Sequence, residues 1–510
     1  MDQGLHLNYL ILYSSQWQSI WSVCSWKRSK ARGPSFPFPF ILGSEVFSKL
    51  LLQEERSGNI KGLQIARNSP TINHLLFAND LLIFRKATLL EASSIKTCLD
   101  KYCSWLGQTF NASKSSIRFS KNTNPTTSTF ILNILPSNPH PTSSISLGLP
   151  ILMGSSKVAA FQNIMDSIQH KMEGWRAKTL SQAGRLVLIK TVAAAVLSYA
   201  MSTFFLPKGI YRKLDQVFKN FWWGFPFKKV RNLYLKSWNS LCSPKAFGGL
   251  GFRKMEEVNL GLISKLAWKL LTQSESMWMA QLQGKYLSSG SFLSPHSSHL
   301  WLCKGILSSQ PIISKCACHR FHKKSYIPIW NSPWVPSIPS FSHSPSFLSF
   351  IHSFDMMVSD MMVSDLINQN ATWNIPLISS LFDSQSVREI QKIVINSSPG
   401  SDFLWTSSPS GKFSSSSAYR LISSQSVSTY SSPLEPRHWK LLWKLNLNAR
   451  LKLFLWKIAW DILPTKARLK AVFPIAPADP LCPFCNMAED SLIHLFFSCS
   501  FARIAWRTSF

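Results

Sequence analysis

Two periods of apolar and polar positions run through this chain, and the places where one gives way to the other mark its elements. Around residue 80, in HLLFANDLLIFR, the apolar runs 75–78 and 81–84 flank the polar residues Asn79 and Asp80. Short apolar runs on either side of a turn-forming pair predict a buried β-hairpin. Upstream, Ile41, Leu42, Val46, Leu50 and Leu51 fall near one stripe and predict a helix over 41–57. Ile95, Leu99, Tyr102 and Leu106 predict another over 91–106, and a short strand is expected over 61–66. GPSFPFPF (33–40) reads as extended, because each proline biases its predecessor away from helix. Residues 121–146, rich in Ser, Thr, Pro and Asn, read as a loop or linker. Helical patterns return over 158–172, 180–206 and 258–271, with FGGLG (247–251) as a break. Between 284 and 440 the periodicity is weak and supports only short elements. It recovers over 439–459. Residues 1–32 show no clear period. DMMVS, present twice in succession over 355–364, is too short to signal a repeat architecture. The expected class is α+β and multidomain.

Charge changes the picture more than composition does. The hydrophobic fraction, 45%, allows a sizeable core, whereas 55 Lys and Arg against 24 Asp and Glu leave a net +31. Such an excess favours polyanions, with RNA and DNA first. Eighteen of the basic residues lie in 171–272, against four acidic ones, with Trp175, Tyr199, Phe204, Tyr211, Phe218, Phe221, Trp222 and Trp223 among them. Basic helical faces can track a phosphate backbone, and aromatics can stack on bases or pack a core. Lys114, Lys178, Arg185, Lys190, Arg212 and Lys213 are the candidate nucleic-acid contacts. The apolar stretch 191–207 falls short of the ~20 residues of a membrane span and is expected to be a buried helix. No membrane association and no small-molecule substrate are expected. The ten cysteines are too scattered for a secreted disulfide framework. The first residues lack a basic signal-peptide start. An intracellular location is expected, with the nucleus in keeping with a nucleic-acid partner.

The sharpest chemical pattern is Cys482-x2-Cys485-x8-His494-x4-Cys499. Cys-x2-Cys puts two thiolates on one side of a turn, and a His and a Cys five apart can share a face. Three sulfurs and one nitrogen suit structural tetrahedral zinc; three unrelated buried cysteines are the alternative. A second cluster, Cys316, Cys318, His319 and His322, has unusually tight spacing and basic neighbours, and is read as chance. At the hairpin, Asp80 could serve a metal, while a neutral Asn79 amide is a poor magnesium ligand. A plain Asn-Asp turn is the simpler account.

Taken with their neighbours, these stretches resemble reverse transcriptases of plant LINE-type (non-LTR) retrotransposons. HLLFANDLLIF is similar to the Phe-Ala-Asp-Asp segment of the family palm. GQTFNASKSSIRFS (107–120), LGLPILMGSSKVAAF (147–161), GWRAKTLSQAGRLVLIKTV (174–192), FWWG (221–224) and SPKAFGGLGFR (243–253) follow in the family's order. LWKLNLNARLKLFLWKIAWDILPT (442–465) and the Cys/His cluster resemble the reverse-transcriptase zinc-binding domain, in which Cys482, Cys485, His494 and Cys499 would be the zinc ligands. The resemblance implies a partial palm (33–120), a linker (121–149), a basic helical thumb-like region (150–275), a connecting region (276–435) and a mostly helical zinc-binding domain (436–510). Residues 1–32 match nothing in the family.

The departures bear on activity. The family activity is RNA-directed DNA polymerisation with magnesium, yet Asn79 replaces the first aspartate of the pair and Asp80 stands as a remnant. The acidic residue of the upstream segment is lost at 31–37, and no earlier aspartate-bearing strand of the family pattern is found. The expectation is a retrotransposon-derived chain without polymerase activity and without bound magnesium, keeping nucleic-acid binding and structural zinc. The alternatives are a non-enzymatic RNA- or DNA-binding protein and a pseudogene product without a stable function.

Overall fold

The expected hairpin sits in a five-stranded sheet. Its strands are β1 (Tyr9–Ser15), β2 (His74–Phe77), β3 (Asp80–Lys86), β4 (Ser115–Phe119) and β5 (Asn138–Pro139), in the order β2-β3-β1-β4-β5. These come from a computed structural model. It describes 9–15, 18–19 and most of 37–509; outside the description lie chiefly 1–8, 20–36, 141–144, 151–155, 226–233, 294–300, 321–326, 337–360, 396–402, 426–431 and 473–479, plus isolated positions such as 78–79, 113–114 and 177–179. The chain divides into two units, 1–160 with 273–296, and 161–272 with 297–510.

In the first unit, β1 runs antiparallel to both β3 and β4, with Ser15 opposite Asp80 and Leu12 opposite both Ile83 and Ile117. The two-residue side-chain period of a strand turns Leu81, Ile83 and Arg85 of β3 into the core. Three helices supply the rest of that core: α1 (Pro37–Arg56), α2 (Leu89–Leu106) and α3 (Pro125–Ile134). Phe47, Leu51, Ile95, Leu99 and Ile131 meet Leu81, Ile83 and Ile117. Phe47 and Tyr102 pack edge to face at 5.0 Å. Arg85 is fully buried within this layer, and its Nε and Nη2 have no hydrogen-bond partner among the described residues.

Several elements differ from expectation for identifiable reasons. Pro37 and Pro39 open α1, because the first backbone N–H groups of a helix have no intrahelical partner to lose. The Ser/Thr-rich stretch 121–146 contains α3, where the Asn124 side chain accepts from the Thr126 N–H and Pro125 takes the first helical position. The 61–66 strand is reduced to a single bridge, Leu63 to Ile72.

The second unit is mostly helical. It contains α4 (Gln162–Arg176), α5 (Gln182–Leu188), a π-turn (Ile189–Ala193), α6 (Ala194–Thr203), α7 (Lys208–Trp223), α8 (Trp238–Cys242) and α9 (Met255–Leu271). Residues 182–203 are long and apolar enough, by length and composition, to cross a membrane. In this unit the run packs against α7 and α9 and is about a quarter buried, with Val187, Val192 and Tyr199 exposed, so the helix expected to be buried over 191–207 is largely exposed. Buried Asn259 of α9 ties the turn after α6 in place. Its Nδ2 donates to the carbonyls of Met201 (2.6 Å) and Phe204 (2.9 Å), and its Oδ1 accepts from Leu206 N–H (2.9 Å) and the Tyr211 hydroxyl (2.6 Å). Every polar atom of that side chain is satisfied, which is what makes its burial tolerable.

Further along, Trp330, Trp334, Trp373 and Phe382 build a local aromatic core. α10 (Ser415–Gln425) packs on α9, and α11 (Pro436–Lys444) and α12 (Ala449–Ala459) follow. The FGGLG break is the seat for α11 and α12. The indole N–H groups of Trp456 and Trp460 both donate to the Gly248 carbonyl, at 2.7 and 2.8 Å. Gly248 has φ +82°, and a Cβ there would lie 2.8–2.9 Å from the Trp460 and Trp439 rings. At Gly249 a Cβ would lie 1.9 Å from the Ser243 carbonyl oxygen.

Candidate metal centre

The residues around 485 fold as a tight knuckle. Cys482 N–H donates to the Ala488 carbonyl (2.8 Å), Asn486 N–H returns to the Cys482 carbonyl (2.9 Å), and Leu481 bridges to Glu489. Asn486 closes the turn at φ +51°, a conformation Asn tolerates better than most residues. Met487 N–H points at Cys485 Sγ (3.5 Å), which lowers that thiol, but burial and the neighbouring Cys482 and Cys499 outweigh it and the net shift is up. The second half of the site comes from a π-turn, His494–Ser498, whose end is fixed by Cys499 N–H donating to the His494 carbonyl (2.8 Å). α14 (Ser500–Ser509) leads away from it.

These two pieces bring Cys482, Cys485, His494 and Cys499 together, with their ligand atoms all within 4.8 Å of one another. Cys485 Sγ lies 3.1 Å from His494 Nε2. Cys482 and Cys499 are buried and the other two half-buried. A tetrahedral zinc with Zn–S distances of ~2.3 Å separates its sulfurs by ~3.8 Å, so this cluster has the right size. Its donor set fits zinc, and four protein donors leave no position for a substrate, as in a structural site. Burial pushes the Cys482 thiol up, but the N–H groups of Cys485 and Phe484 and the neighbouring thiols outweigh it, and the net shift is down.

Asp490, which sequence reasoning missed, anchors the knuckle to α13 (Lys466–Val472). Its Oδ2 accepts from Lys466 N–H (2.8 Å) at the helix start, where a negative charge is favourable. Lys466 Nζ in turn donates to the Leu481 carbonyl, next to the first ligand (2.8 Å). The signal in the sequence was the acidic pair Glu489-Asp490 between Cys485 and His494, which does not say which of the two turns inward.

The other candidate residues are dispersed. Arg212 and Lys213 are exposed on α7, beside exposed Lys208, while Ile210, Leu214, Phe218, Phe221 and Trp222 fill its buried side. None of these three cations has a carboxylate partner among the described residues. Arg185 is half-buried, with its guanidinium against Gly224 at the end of α7. Lys190 donates to the Leu250 carbonyl (2.5 Å) and lies over the Phe252 ring. Burial, then Lys245 and Arg253, pull its ammonium down to about 8. Lys114, Lys178 and Asn79 lie outside the described residues. Asp80 begins β3 and pairs with Phe77, and burial pushes its carboxyl up. Trp222 is wholly buried, so it packs rather than stacks on a base. Cys316 and Cys318 are buried free thiols, His319 packs against Phe403, and His322 lies outside the description.

Residues 413–506 match the protein family described as zinc-binding in reverse transcriptase. An Arabidopsis thaliana protein named "Putative ribonuclease H protein" is 29% identical over 366 residues, which is 69% of this chain and 56% of that relative. The chain thus spans little more than half of that relative's length. Two Arabidopsis thaliana proteins, each named "Uncharacterized mitochondrial protein", also match. One is 26% identical over 142 residues, 27% of this chain and 90% of its own. The other is 47% identical over 47 residues, 9% of this chain and 38% of its own.

Proposed function

We infer that this chain, a relative of plant retrotransposon reverse transcriptases, binds RNA or DNA on its basic helical unit, holds one structural zinc, and does not extend primers. The observation that carries the binding is the exposed face of α7. Lys208, Arg212 and Lys213 stand there without carboxylate partners among the described residues, inside a stretch with eighteen basic and four acidic residues. Phosphates would neutralise that face and release counterions from the nucleic acid. The basic helices 150–275 are read as the thumb-like part and 33–120 as the palm-like part.

Zinc supplies a rigid cross-link between the knuckle and the π-turn. In this reading Cys482, Cys485 and Cys499 would hold the zinc through their sulfurs and His494 through a ring nitrogen. The site holds structure and carries no reaction step.

The palm-like sheet supports the loss of polymerisation. Phosphoryl transfer by two metals needs several carboxylates converging on ions ~4 Å apart. Here Asp80 has Ser15 as its cross-strand partner on β1, and residue 79 is Asn. Among the described strand residues of that sheet Asp80 is the one carboxylate, where a magnesium pair needs more.

Filter binding of a single-stranded RNA across salt tests the reading. The expected result is measurable affinity at low salt, with log K falling steeply against log salt. Absence of binding at about 50 mM salt would refute it. In a primer-extension assay on an RNA template, neither the chain nor Asn79→Asp should make product. Extension by either would overturn the inactive-palm reading.

A further inference from the structure

A cavity of 250 Å³ opens between the stretch preceding α9 and the face of α10, lined by Asn239, Phe252, Arg253, Lys254, Tyr419 and Arg420 among others. We propose that this cavity holds one backbone phosphate of a bound nucleic acid, with its sugar against the Tyr419 ring. It deepens the nucleic-acid reading above and rests on it.

Three cations and an aromatic wall define the chemistry. Arg253 and Arg420 are exposed and have no carboxylate partner among the described residues. Lys254 is held by Glu257 (3.3 Å), which sets its position and leaves the two guanidiniums as the uncompensated charge. Arg253 lies over the Tyr419 ring at 5.4 Å, a contact that fixes the plane of its fork before any ligand arrives. A preorganised guanidinium suits a phosphate, since two of its N–H groups can meet two phosphate oxygens at once. Behind the wall, Lys190 sits on Gly251 and Phe252 and feels Lys245 and Arg253 as repelling charges. Three cations, Arg253, Lys254 and Arg420, therefore line a space whose one lining carboxylate among the described residues, Glu257, is engaged by Lys254, with Asp215 near the Cys242 thiol at its base. Such a field selects an anion. The size exceeds that of a phosphate alone and leaves room for the attached sugar.

The cavity also joins two distant parts of the sequence. Arg253 and Lys254 close the SPKAFGGLGFR stretch, whereas Tyr419 and Arg420 belong to α10. A ligand there would clamp α10 to the start of α9.

The test compares the full chain with Arg253→Gln/Arg420→Gln and with Asn239→Asp, using anisotropy of a fluorescein-labelled single-stranded RNA across salt. Asn239→Asp is nearly isosteric, adds one negative charge to the wall, and sits in the first turn of α8, where an acid is tolerated. A control variant, Lys101→Gln/Lys121→Gln, removes two exposed charges from the first unit. The pocket variants should weaken binding about ten-fold or more and lower the salt slope by about one, and the control should lose far less. Ultraviolet cross-linking should label the peptide containing Tyr419 in the unaltered chain. If the unaltered chain binds RNA and both pocket variants bind like the control, the cavity is not the site and the broader reading survives. If the unaltered chain binds no RNA, both fall.

Discussion

Gly248→Ala is the substitution whose cost the structure defines best. Three terms act together. An alanine at φ +82° costs about 1 kcal/mol or more for the left-handed conformation. Its Cβ would stand 2.8–2.9 Å from the Trp460 and Trp439 rings, and forcing rigid groups apart in a packed core costs about 1–3 kcal/mol. Moving the Gly248 carbonyl also strains two indole hydrogen bonds, each worth about 1 kcal/mol. The expected destabilisation is about 3–5 kcal/mol for the unit that contains α11 and α12. Gly58→Ala isolates the conformational term, because Gly58 has φ +76° and nothing within 4 Å of a would-be Cβ. That control should lose only about 1 kcal/mol. Guanidinium denaturation followed by tryptophan fluorescence measures both. Equal, small losses for the two variants would refute the idea that FGGLG is a seat for the indoles.

Two other predictions concern ionisation and metal. Atomic emission should find one zinc per chain, reduced to a trace by Cys485→Ser, and zinc affinity should fall as pH drops because the thiols must lose protons to bind. The slope should reach up to about three decades per pH unit when three thiols must lose their protons to bind; an affinity indifferent to pH would rule the thiolate site out. Burial pushes Asp215 up to about 6. Between ~4 and about 6 the folded chain keeps a proton that the unfolded chain has released, so its contribution to stability falls as pH rises through that window. Asp215→Asn should remove that slope and be more stable at pH 7, by on the order of 2 kcal/mol. A pH–stability profile identical to that of the unaltered chain would contradict this.

Legibility followed the range of the interactions involved. The Cys/His cluster could be read directly, because a Cys-x2-Cys turn and a nearby His and Cys are local patterns. The hairpin at residue 80 and the helices over 91–106 and 258–271 were likewise set by local periodicity. Asp490 was hidden because its partner, Lys466, is fixed only by tertiary packing. The roles of Arg185 and Lys190 were obscured for a related reason. A long cationic side chain in a basic stretch looks solvated, yet here Lys190 reaches a carbonyl sixty positions away. Helix α3 escaped because its cap and its proline resemble a loop when the packing of Ile131 is unknown. β1 escaped because YLIL is a short apolar run with no alternation, a pattern shared by buried strands and helix fragments.

β1 also sets a timetable. It lies between β3 and β4, so its hydrogen bonds wait for residues that leave the ribosome much later. At ~5–20 residues per second, completing β4 after β1 takes on the order of 5–20 s of synthesis. During that interval β1, able to pair with β3 as soon as the hairpin is made, carries an unpaired edge where β4 will lie, and an edge of that kind recruits other chains. Yield of soluble protein should therefore depend on what shields the nascent N-terminal segment, even though no residue of β1 belongs to the Cys/His cluster or to the basic face.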